Sequence, residues 1–318
     1  MPKVYFSPSF ENILKVLEKF KIPERVFPIK LHMGEIGNKY AINPEYVRKI
    51  YLLFKEKGFE PFLFDTVVAY SSPRSTKQGY LDLAKRRGFN FARIVIGDKG
   101  PKRRFEDLEI EIAKEIAESE FILILSHVKG HELTGFGGAI KNVGMGCVSK
   151  KSKIDLHSKT SFNWESSKCI FCKTCVNSCP SGALTFQDSN LVLKGNCIGC
   201  GICMKACPTK AIKISGLQRN IAISCKLCLE NKEYICINWL GNITKYCDCN
   251  SDPGPIVCQD IGWLVGRDIV AVDAASLWLI EKKCGKIFER LHGIDPWLQI
   301  ETAEEIGLGS SKFEIIKV

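Results

Sequence analysis

The feature that leaves this chain the least freedom is a cysteine pattern written twice. Residues 169–180 read CIFCKTCVNSCP, and residues 197–208 read CIGCGICMKACP. Both are C-x2-C-x2-C-x3-C-P, and the second copy starts 28 residues after the first (197 minus 169). Three thiolates on one short loop can wrap three corners of a cubane, while a fourth beside proline faces away and reaches the neighbouring cluster. That logic assigns Cys169, Cys172, Cys175 and Cys207 to one [4Fe-4S] cluster and Cys197, Cys200, Cys203 and Cys179 to a second. Zinc also takes four cysteines. One C-x2-C pair leaves that choice open, but two complete repeats with the trailing Cys-Pro favour iron and sulfide. The small residues Gly199 and Gly201 let backbone N–H groups approach the cluster sulfurs, where hydrogen bonds tune the potential.

The spacing is that of bacterial two-cluster ferredoxins, so residues 167–216 are expected to form an α+β ferredoxin-like module. On either side the texture is different. Short apolar runs suggest strands at Val4–Phe6, Val26–Leu31, Pro61–Phe64, Arg93–Ile96, Phe121–Leu125, Tyr234–Ile237 and Phe313–Ile316. Helices are expected near 10–20, 43–57, 75–87, 106–118, 217–230, 270–283, 285–292 and 300–307. Asn43 before Pro44 reads as an N-cap with proline at the first helical position. The alternation argues for an α/β domain with a mostly parallel sheet. Its first part is 1–166 and its second 217–318, so the cysteine module looks inserted rather than appended.

Composition narrows the setting. The chain has 318 residues, 16 of them cysteine, and a formal net charge of +10. No run of 18 apolar residues is present, so no transmembrane helix is expected. The first residues lack the pattern of a secretory leader. The expected compartment is therefore the reducing cytoplasm, where many cysteines favour metal ligation over disulfides. Apart from KRR at 85–87 and at 102–104, the basic residues are spread along the chain. That distribution reads as a solvated surface suited to an acidic electron-transfer partner rather than to nucleic acid or a membrane.

Outside the cluster motif, candidates gather at expected strand ends, where open α/β sheets build their ligand sites. His127, Lys129 and His131 follow the run FILIL; Lys129 and His131 suit an organic acid or phosphate, or proton transfer. Next comes TGFGGAIKNVGMG, a glycine-rich turn into a helix that could offer free N–H groups to an anion, or simply pack closely. It carries Lys141 and Asn142. Lys30, His32 and Glu35 follow another strand, and Asp65, Tyr70 and Arg74 a third. The reading selects Lys129, His131 and Lys141 as substrate contacts, with His32 and Asp65 as proton-transfer candidates. Asp65 also fits a helix cap. Cys147 either lines the same pocket or is a buried inert thiol. Cys247, Asp248 and Cys249 form C-D-C with Cys258 nearby, which suits an extra site for a thiolate-loving metal, a redox-active or reactive thiol pair, or plain packing. Cys225 and Cys228 lie on one helical face, which suits packing, a metal site shared with Cys236 or Cys258, or a disulfide; Cys284 reads as structural.

The strings KLHMGEIGN (30–38), DTVVAYSSPR (65–74), HVKGHELTGFGGAIKNVGMGCVSKKSK (127–153), CDCNSDPGPIVCQDIGWLVGRDIVAVDAASLWLI (247–280) and AEEIGLGSSKFEI (303–315) resemble the DUF362 family of iron–sulfur-centre proteins. The resemblance implies an α/β domain interrupted by clusters and supplies no reaction. The chain departs from the family pattern in its additional cysteines. Taken together, the sequence points to an iron–sulfur electron-transfer protein acting as an oxidoreductase on a small anionic metabolite, served by a redox partner protein. The alternatives are a non-catalytic carrier or scaffold subunit, and a cluster- or metal-delivery protein. A polar cleft collecting the candidate side chains separates the first reading from the others.

Overall fold

The computed structural model describes residues 1–318. Eight strands build the central sheet: β1 (Lys3–Ser7), β2 (Pro28–Lys30), β3 (Phe62–Thr66), β4 (Ile94–Gly97), β5 (Phe121–His127), β6 (Glu233–Leu240), β7 (Gly262–Gly266) and β8 (Glu314–Lys317). Their spatial order is β8-β1-β7-β6-β5-β2-β3-β4. Only β7 runs against its neighbours, pairing antiparallel with both β1 and β6. The other pairings are parallel, as the alternating texture of the sequence implies.

The sheet is buried on both faces. In β5 every residue is buried, and the side chains divide by parity. Ile122 and Ile124 join a core of 42 buried residues on one face. Phe121, Leu123 and Leu125 join a core of 26 on the other. Burying each such side chain contributes about 1.5–3 kcal/mol before conformational entropy is set against it. Helices α1 (Phe10–Leu17), α2 (Pro44–Glu56) and α3 (Lys77–Arg86) cover the second face. Helices α4 (Ala139–Gly146), α5 (Lys150–Ser158), α6 (Leu217–Leu229) and α7 (Ile269–Cys284) cover the first. Helix α2 starts as its sequence dictates: the Asn43 side chain accepts from the Glu45 N–H at 3.0 Å, and Pro44 opens the first turn.

One expected helix is absent. Residues 106–118 do not form a continuous helix; Lys102–Phe105 pairs antiparallel with Leu108–Glu111, and only Lys114–Glu118 is helical. The cause is a period of two. Leu108, Ile110 and Ile112 are buried, whereas Glu109 between them is exposed, which is strand patterning on a half-buried ribbon. The basic triplet at 102–104 lies on this exposed hairpin, where Lys102 pairs with Glu109 at 2.9 Å.

Between α5 and α6 the chain leaves the sheet and forms a small module. Ser161–Trp164 pairs antiparallel with Ile212–Ser215 and so zips the two ends together. That first strand begins ahead of residue 167, where the cysteine spacing sets the expected start. Inside are a hairpin of Leu184–Gln187 with Asn190–Leu193 and two short helices, Thr174–Asn177 and Ile202–Ala206. Only five residues form its buried apolar cluster, and two of them are Cys175 and Cys203. No helix of the chain is long and apolar enough to cross a membrane.

Candidate functional site

The parallel strands bring Lys30 (end of β2), Asp65 (β3) and His127 (end of β5) to one edge of the sheet. Above that edge is a cavity of about 550 Å³. Its walls include His32, Lys129, His131 and Lys141, four side chains that the sequence nominates. Asp65 is not on the wall. It is buried beneath, paired with Lys30 at 3.1 Å, hydrogen-bonded by its own neighbour's Thr66 N–H at 2.9 Å, and contacted by the Tyr80 hydroxyl. With both oxygens engaged, it holds the floor rigid and does not face the cavity. Glu35 likewise is bound to buried Arg74 at 2.9 Å. Arg74 Nη1 stands 2.5 Å from His32 Nε2. Burial first, and the Arg74 charge second, hold the His32 ring well below its usual range, so it is neutral.

The cavity is rich in ammonium groups. Lys129 donates to Asp248 at 2.5 Å, and the same carboxylate lies 2.9 Å from His127 Nδ1. On the other side of its ring, His127 Nε2 is 2.8 Å from the Gly241 carbonyl. Burial, opposed by the Asp248 charge, lowers Lys129. Burial and the Lys129 charge bring Lys141 down to about 8. Burial brings Lys153 down to about 7; its ammonium donates to the Val67 carbonyl at 2.6 Å. Burial and then Lys141 hold His131 well below its ordinary value. Asp248 compensates only part of this charge, so an anion entering the cavity relieves repulsion between lysines as well as forming hydrogen bonds.

The glycine-rich entry to α4 does not supply an open anion site. The Ala139 and Ile140 N–H groups donate to buried Asp273 at 2.7 and 2.9 Å, and Asn238 donates to it at 2.7 Å. A Cβ at Gly138 would lie 2.3 Å from Asp273 Oδ1, so this glycine serves close packing. Burial pushes the Asp273 carboxyl up to about 6. Asn142, in the same helix, accepts from Lys30 at 2.6 Å and donates to the Leu125 carbonyl at 3.0 Å, tying α4 to two strand ends.

The small module forms one wall of the cavity. Ile198, Cys200, Ile202 and Lys205 all line it. The approach is close: a Cβ at Gly199 would lie 1.8 Å from the His157 carbonyl oxygen, and the residue has a φ of +62°. Lys205 forms an ion pair with Glu132 across the boundary. Cys169, Cys172, Cys175 and Cys207 surround a second, small cavity inside the module. Cys203 feels the charges of Cys200, Cys197 and Cys179, which form the other group. Backbone donors repeat with the sequence. Phe171 N–H donates to Cys169 Sγ and Gly199 N–H to Cys197 Sγ, both at 3.4 Å. Ala183 N–H donates to Cys179 Sγ and Ala211 N–H to Cys207 Sγ, both at 3.3 Å. Sulfur donor sets with N–H groups aimed at them fit iron–sulfur clusters.

The remaining cysteines separate into three groups. Cys247 and Cys249 are bonded to each other on the cavity wall, next to His131. Cys258 does not join them; it is bonded to Cys284, with Cα atoms 6.1 Å apart. That pairing removes Cys258 from the C-D-C candidate site and gives Cys284 its structural role. Cys147, Cys225, Cys228 and Cys236 are fully buried in the larger core and off the cavity wall. Burial pushes the Cys147 thiol up to about 12, as for an inert packed side chain. Lys153, His157 and Asp273 are not among the expected site residues; Lys153 and Asp273 engage partners distant in the chain, which no local pattern marks.

Among functionally curated proteins, none matches the sequence. Two solved structures are similar in outline. The lactate racemase apoprotein from Thermoanaerobacterium thermosaccharolyticum shares 14% identity over 75% of this chain and 50% of its own, with a TM-score of 0.39. A protein from Thermotoga maritima shares 10% identity over 93% of this chain and 58% of its own, with a TM-score of 0.41. This chain thus spans half of the first structure and somewhat more of the second, and neither likeness bears on function. Residues 28–278 match the family described as a domain of unknown function, DUF362, and the chain belongs to that family.

Proposed function

We propose that the protein is a cytoplasmic iron–sulfur oxidoreductase that acts on a small anionic organic substrate in the cavity. In this reading the module is a two-cluster ferredoxin-like insert. Cys169, Cys172, Cys175 and Cys207 hold one [4Fe-4S] cluster, and Cys197, Cys200, Cys203 and Cys179 hold the other. When bound, the clusters supply one-electron transfer. The carrying observation is Cys200, which belongs to the second cysteine set and lines the same cavity as Lys129, His131 and Lys141. A cavity that is merely a packing defect has no reason to be walled by ammonium groups on one side and a cluster ligand on the other.

The chain's own residues divide the work. Lys141 and Lys129 neutralise a carboxylate or phosphate, and Lys153, lowered to about 7, adds positive charge on the wall near and below neutral pH. His131 lines the cavity and can hold or move a proton at Nε2, whereas both ring nitrogens of His32 already face donors, the Gly34 N–H at 3.1 Å and Arg74 Nη1 at 2.5 Å. The other end of the module is open. Cys172 is exposed, flanked by exposed Ile170 and Phe171, a surface fitted to a redox partner protein. A carrier without a reaction of its own has use for that surface but none for the cationic cavity, and a delivery protein has use for neither wall.

The test is anaerobic purification with iron and sulfide analysis and EPR of the reduced protein. The expected result is about eight irons and eight sulfides per chain, with two interacting paramagnetic centres on reduction. Zinc without sulfide overturns the reading. Retention of both clusters with no binding of any small carboxylate or phosphate favours the carrier instead.

A further inference from the structure

We propose that His131, Cys247 and Cys249 form a third metal centre, open to the cavity, for one divalent ion of the zinc, nickel or iron kind. One ring nitrogen of His131 lies within 4.8 Å of both sulfurs, which are bonded to each other in this structure and must part to act as two ligands. His131 and Cys247 are buried, Cys249 is partly so, and all three line the cavity. The inference goes beyond the iron–sulfur reading and stands without it, since none of these residues belongs to the cluster motif.

The loop that carries the two cysteines is built, not loose. Lys245 N–H donates to the Pro255 carbonyl at 3.0 Å and Tyr246 N–H to the Pro253 carbonyl at 2.9 Å, closing its base. Asn38 Nδ2 donates to the Asn250 carbonyl at 3.0 Å, and the Tyr70 hydroxyl to the Cys249 carbonyl at 3.3 Å. The Asn250 amide reaches Cys247 Sγ at 3.8 Å, a donor that favours a thiolate. Asp248, between the cysteines, is turned the other way onto Lys129 and His127. The donor set is therefore one nitrogen and two sulfurs, which selects late transition metals and rejects magnesium and calcium. Three protein ligands leave a fourth position, the pattern of catalytic rather than structural sites. Two thiolates also cancel the ion's charge, so the lysines of the cavity remain free for an anion. The ligand class that fits is an organic acid with one oxygen on the ion and its carboxylate on Lys141.

Metal loading takes the reduced form of the pair. An added phosphine supplies the change: the S–S bond breaks, two thiols form, and the phosphine leaves as its oxide with oxygen from water. The ion then displaces both thiol protons. A metal on His131 Nε2 also requires the ring hydrogen on Nδ1, which gives up the 3.2 Å contact from the Leu133 N–H.

The experiment uses the full chain, prepared anaerobically with a phosphine and loaded with zinc(II). Elemental analysis and zinc-edge X-ray absorption are then recorded for the wild type, C247S/C249S and H131A. The expected wild type holds about one zinc per chain with two sulfur and one nitrogen neighbours. C247S/C249S loses the zinc at unchanged iron content, which also reports that the variant is folded. H131A keeps both sulfur neighbours, loses the nitrogen, and binds zinc at least about tenfold more weakly. Three results overturn the proposal: no zinc retained by the wild type, the same sulfur shell in C247S/C249S, or a Cys247–Cys249 bond that resists the phosphine. The iron and sulfide count is read separately, so failure of this site and failure of the cluster reading are distinguishable.

Discussion

The small cysteine-lined module and the large α/β body solve opposite problems. The body buries 42 and 26 apolar residues on the two faces of one sheet, enough to hold its fold by burial. The module buries five, two of them cysteines. Cores that small are ordinarily completed by metal or disulfide, and no disulfide crosses this one. The module's eight cysteines lie within two twelve-residue strings, whereas the body's cavity is assembled from the ends of strands far apart in the chain. One region carries its candidate site in local sequence and, on the proposed reading, would draw stability from a bound cluster. The other encodes its stability and gains a site from topology.

The largest effect should come from breaking the module. Cys175→Ser or Cys203→Ser removes a buried ligand, and the account expects loss of about four irons together with amide protection across 161–215. Hydrogen exchange of the body should be unchanged; equal loss of protection in both regions would erase the contrast. Next comes the floor of the cavity. Lys30→Met leaves Asp65 buried without its cation, a destabilisation of about 3–5 kcal/mol in chemical denaturation, with iron content retained.

A smaller effect concerns anion binding. With Lys141 brought down to about 8, its ammonium is present below that pH and lost above it. Affinity for small carboxylates, measured by calorimetry, should fall as pH rises past 8, by about tenfold per unit at most. Lys141→Met should weaken binding by about tenfold at pH 7 and flatten that profile. An unchanged profile in the variant would assign the titration to another group. The smallest effect is at the boundary. Lys205→Ala removes a half-exposed ion pair with Glu132 and should cost less than about 1 kcal/mol, shrinking further in high salt.

The same contrast governs what could be read in advance. The Asn43–Pro44 helix start and most of the sheet's apolar runs are local patterns legible in the sequence; the antiparallel strand Gly262–Gly266 is not among the expected strands. LEIEI at 108–112 was also local, but its period of two was overlooked within a stretch of helix-forming residues. The entry to α4 leaves an anion site and close packing both open in the sequence; it resolves as close packing because the acceptor of its N–H groups, Asp273, lies 134 residues beyond Ala139. Asp248 likewise reaches His127 across 121 residues. Cys258 was grouped with its near neighbours in sequence, while the fold pairs it with Cys284, 26 residues on. Parallel topology predicts which strand ends meet, and it does not say which side chains there will be consumed by one another.

The central claim is that a cluster ligated by Cys200 stands against the cationic cavity. Iron-edge anomalous diffraction from anaerobically grown crystals tests it directly. The account predicts two separate iron peaks within the module, one of them bordering the cavity beside His131 and Lys141. Zinc-edge signal in place of iron, or iron confined to the Cys169 end of the module, would contradict it.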